Sequence, residues 1–299
     1  MKPSCESFDT TFSNPTVPHL AISSSPSESP TMRNKNNTAV RLTVLAAAVL
    51  GASLAHAAAP TVTPGQFKVG MEITYPPFES YDKDKNIVGS DPELSRLLAR
   101  HMGLEANFTD TKFSSLILSL NAGHYDAIIS GMYVTPERQA QAQAIPYAKT
   151  GAAIMVLKDS PVKPKVPEDL CGLKVGLEKG TTWVAQFNKL STDYCLPNNK
   201  GAIVVSEFPS APEVTQALLS GNVQAQVEID GAAGLIAERT KGRVVVSTEH
   251  SIYQQTLGIY VKKGNDELYQ ALLKAFDETK SSGEYAALLK KYNLEEPGN

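Results

Sequence analysis

Tryptophan occurs once, cysteine three times and histidine five times in the 299 residues. These scarcities exclude much. No histidine or second cysteine stands at ligand spacing to Cys171 or Cys195, which argues against a structural metal site. The histidines are scattered, so there is no His-centred triad, and no phosphate-binding loop or internal repeat is present. Basic charge is also short, with 28 Lys and Arg against 31 Asp and Glu for a net charge of -3. A nucleic-acid partner would require a basic patch, and none is there. After residue 57 no apolar run is long enough to cross a bilayer. What remains is an ordinary globular composition, 42% hydrophobic and 20% charged, long enough for two compact domains.

The N-terminus changes character twice. Residues 1–31 are rich in Ser and Pro, show no apolar period and build no core. Met32 then opens a new pattern, with Arg33, Lys35 and Arg41 as a positive region and Leu42 to Leu54 as an apolar one. Ala55-His56-Ala57 follows as a small-x-small cleavage site, so residues 32–57 read as a signal peptide cut after Ala57. Residues 1–31 are expected to be an untranslated or disordered extension, with Met32 as the start. The mature chain is expected in a periplasm, where disulfides persist. Cys171 and Cys195 are the two cysteines left there, as a bridge or as two buried thiols. A bridge would close a loop of about two dozen residues and contribute roughly 3 kcal/mol.

From Gln66 onward, short apolar runs alternate with amphipathic stretches. Phe67–Ile73 reads as a strand stopped by Pro76-Pro77, and Pro92–His101 as a helix capped by Asp91 and ended by Gly103. Strands are expected at 104–108 and 126–130, with a helix at 114–122 between them. Thr135-Pro136-Glu137 opens another helix, with Thr as N-cap and Pro at the first helical position. The pattern restarts with strands at 152–157, 173–177, 202–205 and 223–229, and helices at 182–190, 212–219 and 232–239. A strand at 257–261 and helices at 266–280 and 284–292 finish the chain. Such alternation implies an α/β protein with a largely parallel sheet. We expect two lobes, 58–149 plus 257–299 and 150–256, joined by a hinge with two crossings. Ligands of open α/β sheets sit beyond the carboxyl ends of strands, so the cleft between the lobes is the place for chemistry.

A free amino acid presents a carboxylate and an ammonium close together, and burying both is costly unless each is paired. Arg138, one short loop after strand 126–130, supplies a planar fork for the carboxylate. Gly180-Thr181-Thr182 opens a helix whose free N–H groups can hold the same carboxylate. Asp230, at the end of strand 223–229, is placed to pair with the ammonium, and Tyr75, Phe78 and Phe113 to wall the side chain.

The stretches Tyr75-Pro76-Pro77-Phe78-Glu79, Tyr125 to Met132 and Thr135-Pro136-Glu137-Arg138 resemble the family 3 bacterial extracellular solute-binding proteins. Gly176 to Thr182, Gly258 to Asp266 and Ser282-Gly283-Glu284-Tyr285 extend the likeness over Val69 to Leu294. The resemblance implies a type II periplasmic-binding-protein fold, a small-molecule amino-acid ligand, an inner-membrane ABC permease as partner, and neither cofactor nor nucleic acid. A monomer is expected. It further implies that Arg138 and Thr182 grip the carboxylate, that Ser130 and Gly131 face the ammonium, and that Tyr75 and Phe113 flank the side chain. Cys171 and Cys195 match a subgroup that carries a bridge there. Glu72 falls near the side-chain end, where an acid accompanies cationic ligands in some relatives. Three positions depart from the pattern. Tyr133 replaces a small hydroxyl that meets the ammonium, and Gly89-Ser90-Asp91-Pro92 replaces the usual Gly-Phe-Asp. An ungapped match puts Ile229 where an ammonium-binding Asp belongs, with Glu228 and Asp230 on either side; Asp230 is the favoured register. The alternative on the same fold is a periplasmic cyclohexadienyl dehydratase, with Glu72 or Glu228 as general acid.

Overall fold

Phe67, Val69 and Met71 are fully buried in alternation, as a strand with one face on a core requires. They belong to β1 (Gln66–Met71) of a computed structural model that describes residues 60–298. The expected extension and signal peptide lie outside the described residues. After β1 come three short strands, β2 (Thr74–Tyr75), β3 (Glu79–Tyr81) and β4 (Ile87–Val88), forming their own small antiparallel sheet. Two or three residues carry no readable period, so the sequence pattern does not reveal them.

Helix α1 (Ser90–His101) buries Leu94 and Leu98 on one face. Its N-cap is Gly89, so Asp91 is not the cap expected from sequence. Asp91 lies buried in the first turn, where it accepts from Gly131 N–H at 2.7 Å, Tyr147 hydroxyl at 2.8 Å and Ser90 hydroxyl at 3.0 Å. Then follow β5 (Glu105–Asp110), α2 (Leu116–Asn121), β6 (Ala127–Ile128) and α3 (Pro136–Gln139). Thr135 caps α3 as expected, its hydroxyl accepting from Arg138 N–H.

The remaining elements are β7 (Ala142–Leu157), β8 (Lys174–Glu178), α4 (Thr182–Leu190), β9 (Val204–Phe208), α5 (Ala211–Leu219) and β10 (Ala225–Ile229). They are followed by α6 (Asp230–Arg239), β11 (Val244–Val246), β12 (Ile252–Lys262), α7 (Asp266–Ser281) and α8 (Glu284–Tyr292). The main sheet runs β5-β1-β6-β12-β7-β10-β8-β9, with β11 also on β7. Two parallel triplets, β5-β1-β6 and β10-β8-β9, are thus joined through the long antiparallel pair β7 and β12. This corrects the expectation of a largely parallel sheet.

Strand β7 begins ten residues before the stretch read as a strand, because Pro146 argues against one. That proline is tolerated because β7 pairs with β12 alone there; Glu295 bridges to Lys149, and β10 takes up the other edge from Ala152. The β7–β12 register breaks between Ile252 and Gln255, next to that change of partner, and again between Leu257 and Gly258. The chain therefore passes twice between two lobes, along two paired strands whose ladder is interrupted where the lobes part.

The core runs from β1, α1 and α7 through the crossing strands into β8, β10 and α4. Gly70 of β1 allows the ring of buried Tyr125 to lie against the strand, since a Cβ there would be 2.3 Å from it. Cys171 and Cys195 are bridged, with Cα atoms 5.4 Å apart and 24 residues of separation. The bridge ties the segment before β8 to the π-turn at the end of α4 (Ser191–Cys195). Closing a loop of that length restricts the unfolded chain by about 3 kcal/mol. We therefore expect the double variant Cys171→Ser/Cys195→Ser to lose about that much stability in urea unfolding, and an unchanged midpoint would refute the bridge.

Candidate functional site

The lobes meet around a small pocket that is partly open to solvent. Seven residues singled out from the sequence come together on its wall: Glu72, Tyr75, Phe113, Gly131, Tyr133, Arg138 and Thr182. Three do not. Phe78 is fully buried behind Tyr75, its ring stacked on it at 5.6 Å. Ser130 is buried beside the pocket, where its hydroxyl donates to Glu79 at 2.7 Å and accepts from Glu72 N–H at 3.0 Å. Asp230 lines a separate surface recess with Gly151 and accepts a hydrogen bond from Ser251 at 2.6 Å.

The reason for the misplaced Asp230 is local. Strand β10 ends at Ile229 and α6 starts at Asp230, so alternation stops one residue too early for Glu228 and Asp230 to share a face. Ile229 itself lines the pocket. Glu228 turns inward, accepting from Tyr75 hydroxyl at 2.8 Å and from Gln226 at 2.9 Å. Burial pushes the Glu228 carboxyl up to about 7, a rise those two donors restrain.

Arg138 is held at the start of α3, 8% exposed. Its Nη1 donates to Tyr133 carbonyl at 2.7 Å and its Nη2 crosses the cleft to Gly180 carbonyl at 3.1 Å. Its guanidinium lies 5.5 Å from the centroid of the Phe113 ring. Among the described residues it forms no ion pair. Across the cleft, Gly180 has φ +87° and its hydrogen faces Ser114, where a Cβ would come within 3.0 Å. That close approach sets the start of α4 against the other lobe. Thr182 Oγ1 and Trp183 Nε1, in the first turn of α4, are buried without a hydrogen-bond partner among the described residues.

Sequence reasoning missed two further carboxyls on the wall, Glu79 and Glu178, which join Glu72 there. Glu178 closes an apolar strand just before Gly180-Thr181-Thr182, and an acid at that carboxyl end was the available signal. Burial, then the hydrogen bond to Glu72 and its charge, push the Glu178 carboxyl up to about 10. Glu79 is held well above the usual carboxylate range by burial and then by the charge of Asp91. One of its oxygens has no hydrogen-bond partner among the described residues. Glu72 accepts from Lys112 Nζ at 3.1 Å and from Phe113 N–H at 2.7 Å. Phe113 thus stands between the two charge types, its N–H on Glu72 and its ring under Arg138. Tyr133 and Trp183 meet edge to face, with ring centroids 6.0 Å apart.

This arrangement offers a cation for an anionic group, acids for a cationic group, and aromatic walls between them. Comparison with known proteins agrees with it. The chain is 40% identical over 140 residues to the ABC transporter arginine-binding protein 1 of Escherichia coli (strain K12), covering 46% of this chain and 53% of that protein. The chain thus spans about half the length of that relative. A solved ancestral arginine-binding protein bound to arginine superposes with a TM-score of 0.70 at 33% identity, covering 76% of this chain and 98% of that one. The ancestral amino acid-binding protein AncCDT-1, a precursor of cyclohexadienyl dehydratase, superposes with a TM-score of 0.65 at 29% identity, covering 76% and 95%. The model of the bacterial extracellular solute-binding proteins, family 3, matches residues 67–295, and the chain belongs to that family.

Proposed function

We propose that the chain is the extracytoplasmic ligand-capturing component of an ABC transporter, taking a small zwitterion with a carboxylate and a cationic end. The observation that carries this reading is a buried guanidinium without an ion pair, on a wall shared with three carboxyls. A buried cation is costly until an anion reaches it, so a ligand carboxylate gains most where Arg138 stands. The acids favour a basic far end of the arginine type, as the names of the relatives suggest. The lobes 58–149 plus 257–299 and 150–256 close on the ligand by bending at the two crossing strands. Secretion to the periplasm after cleavage at Ala57, action as a monomer and delivery to an inner-membrane permease complete the reading.

One observation favours a second reading. A pocket acid that stays protonated at neutral pH, as Glu178 does, can serve as a general acid, and AncCDT-1 is a dehydratase precursor. Glu228 stands behind the wall, bonded to the hydroxyl of Tyr75, which lines the pocket. Incubation with prephenate separates the readings: phenylpyruvate formation would establish the dehydratase, and we expect none.

Calorimetry against basic amino acids, guanidino acids and ω-amino acids tests the main reading, and binding of none of them would sink it. For the tightest binder, Arg138→Ala should weaken affinity by about 3–5 kcal/mol, more than a hundredfold, because the ligand carboxylate is left buried and unpaired. Circular dichroism should be unchanged.

Glu178 makes binding pH-dependent. A ligand cation lowers its pKa, so binding releases a proton and affinity rises with pH below about 10. The free protein runs the other way: the unfolded carboxyl ionises near its ordinary value of about 4.3, while the folded one holds its proton to about 10. Between those values the folded state binds more protons, so this group makes stability fall as pH rises. In Glu178→Gln both slopes should flatten, seen by calorimetry in buffers of different ionisation heat and by melting between pH 5 and 9. Unchanged slopes would remove Glu178 from the linkage.

A further inference from the structure

The seat for a carboxylate and the seat for an α-ammonium must be neighbours, since one carbon atom separates the two groups in any α-amino acid. Around Arg138 the first seat is furnished: the guanidinium, the unpartnered hydroxyl of Thr182 and the start of α4. The second is not. The pocket position at the end of β10 is held by the apolar side chain of Ile229, and the facing wall is the edge-to-face pair Tyr133 and Trp183. Gly131 N–H is a donor, not an acceptor, and is already committed to Asp91 at 2.7 Å.

Nearby carboxylates are turned away. Asp230 opens onto the recess on the other side of Tyr133, whose hydroxyl reaches Gly151 carbonyl in that recess at 3.4 Å. Glu228 is engaged by Tyr75 and Gln226. Of the carboxyls that do line the pocket, Glu72 is drawn to Lys112 and to Phe113 N–H, and Glu79 accepts from the Ser130 hydroxyl. An ammonium next to the Arg138 carboxylate would be buried against Ile229 and two aromatic faces, with an isoleucine at the position where its anion belongs.

Building on the function proposed above, we infer that the ligand is an ω-cationic carboxylate without an α-ammonium, of the ω-guanidino acid class, and that Ile229 and Tyr133 select against α-amino acids. The carboxylate sits on Arg138, a plain methylene chain passes the aromatic walls, and the cation reaches the three carboxyls.

The test is a matched pair of probes on the secreted protein, L-arginine and 5-guanidinopentanoate, which differ only by the α-amino group. In calorimetry 5-guanidinopentanoate should bind at least tenfold more tightly than L-arginine. Ile229→Asp should shift that ratio at least tenfold toward L-arginine by giving the ammonium an anion. A ratio below tenfold in the unaltered protein overturns this inference while leaving the zwitterion reading in place. Binding of neither probe overturns this inference, and only failure of the whole panel of basic amino acids, guanidino acids and ω-amino acids overturns the zwitterion reading as well. An unmoved ratio in a folded Ile229→Asp protein removes Ile229 as the selecting residue.

Discussion

A buried guanidinium that forms no ion pair among the described residues is a constraint that much of the surrounding structure answers. Arg138 cannot shed its proton at any ordinary pH, so its cost must be met by dipoles and by a ring face until a ligand arrives. Tyr133 carbonyl supplies one dipole and is held in turn by the Tyr260 hydroxyl at 2.6 Å. Gly180 carbonyl supplies the second from the opposite lobe, and Phe113 offers its ring. The four-residue helix α3 exists in the right place because Thr135 caps it and Pro136 starts it. The same cation therefore depends on both lobes, which makes the approach of the lobes part of its solvation.

The acidic wall is the converse. Three carboxyls share a small buried space, and their repulsion is relieved by keeping a proton on Glu178 and by drawing Lys112 onto Glu72. Tyr75 adds a direct tie between the lobes. Its hydroxyl donates to Glu228 and accepts from Ile229 N–H at 3.1 Å, so one phenol reads the end of β10 from across the cleft.

Much of this was legible in the sequence because it rests on short-range rules. The Thr135 cap, the start of α4 at Thr182, the helix at Glu284–Tyr292 and the placement of Arg138 near a strand end all follow from local signals. What escaped was set by pairing at a distance. The antiparallel crossing strands were hidden because Pro146 sits in one of them, acceptable only where the neighbouring edge is unpaired. Glu79 and Glu178 escaped because a buried acid looks like any surface acid until the fold shows what surrounds it. The departure at Tyr133 was visible, but its consequence depended on where Asp230 points.

That last point turns on one residue of register. In β10 the side chains of Gln226 and Glu228 bond to each other on one face, and Ile229 takes the next position on the opposite face, toward the pocket. Had the strand continued, position 230 would have rejoined Glu228's face, and neither acid would have met the ligand. Because the helix α6 begins at Asp230 instead, the carboxylate swings to Ser251 and out of reach. Period-two alternation makes such a choice all or none: a strand end that presents isoleucine cannot also present its acidic neighbours. Tyr133 lines the same pocket while its hydroxyl reaches Gly151 carbonyl at 3.4 Å, so the apolar lining that Ile229 gives the pocket is a consequence of backbone register as much as of side-chain identity.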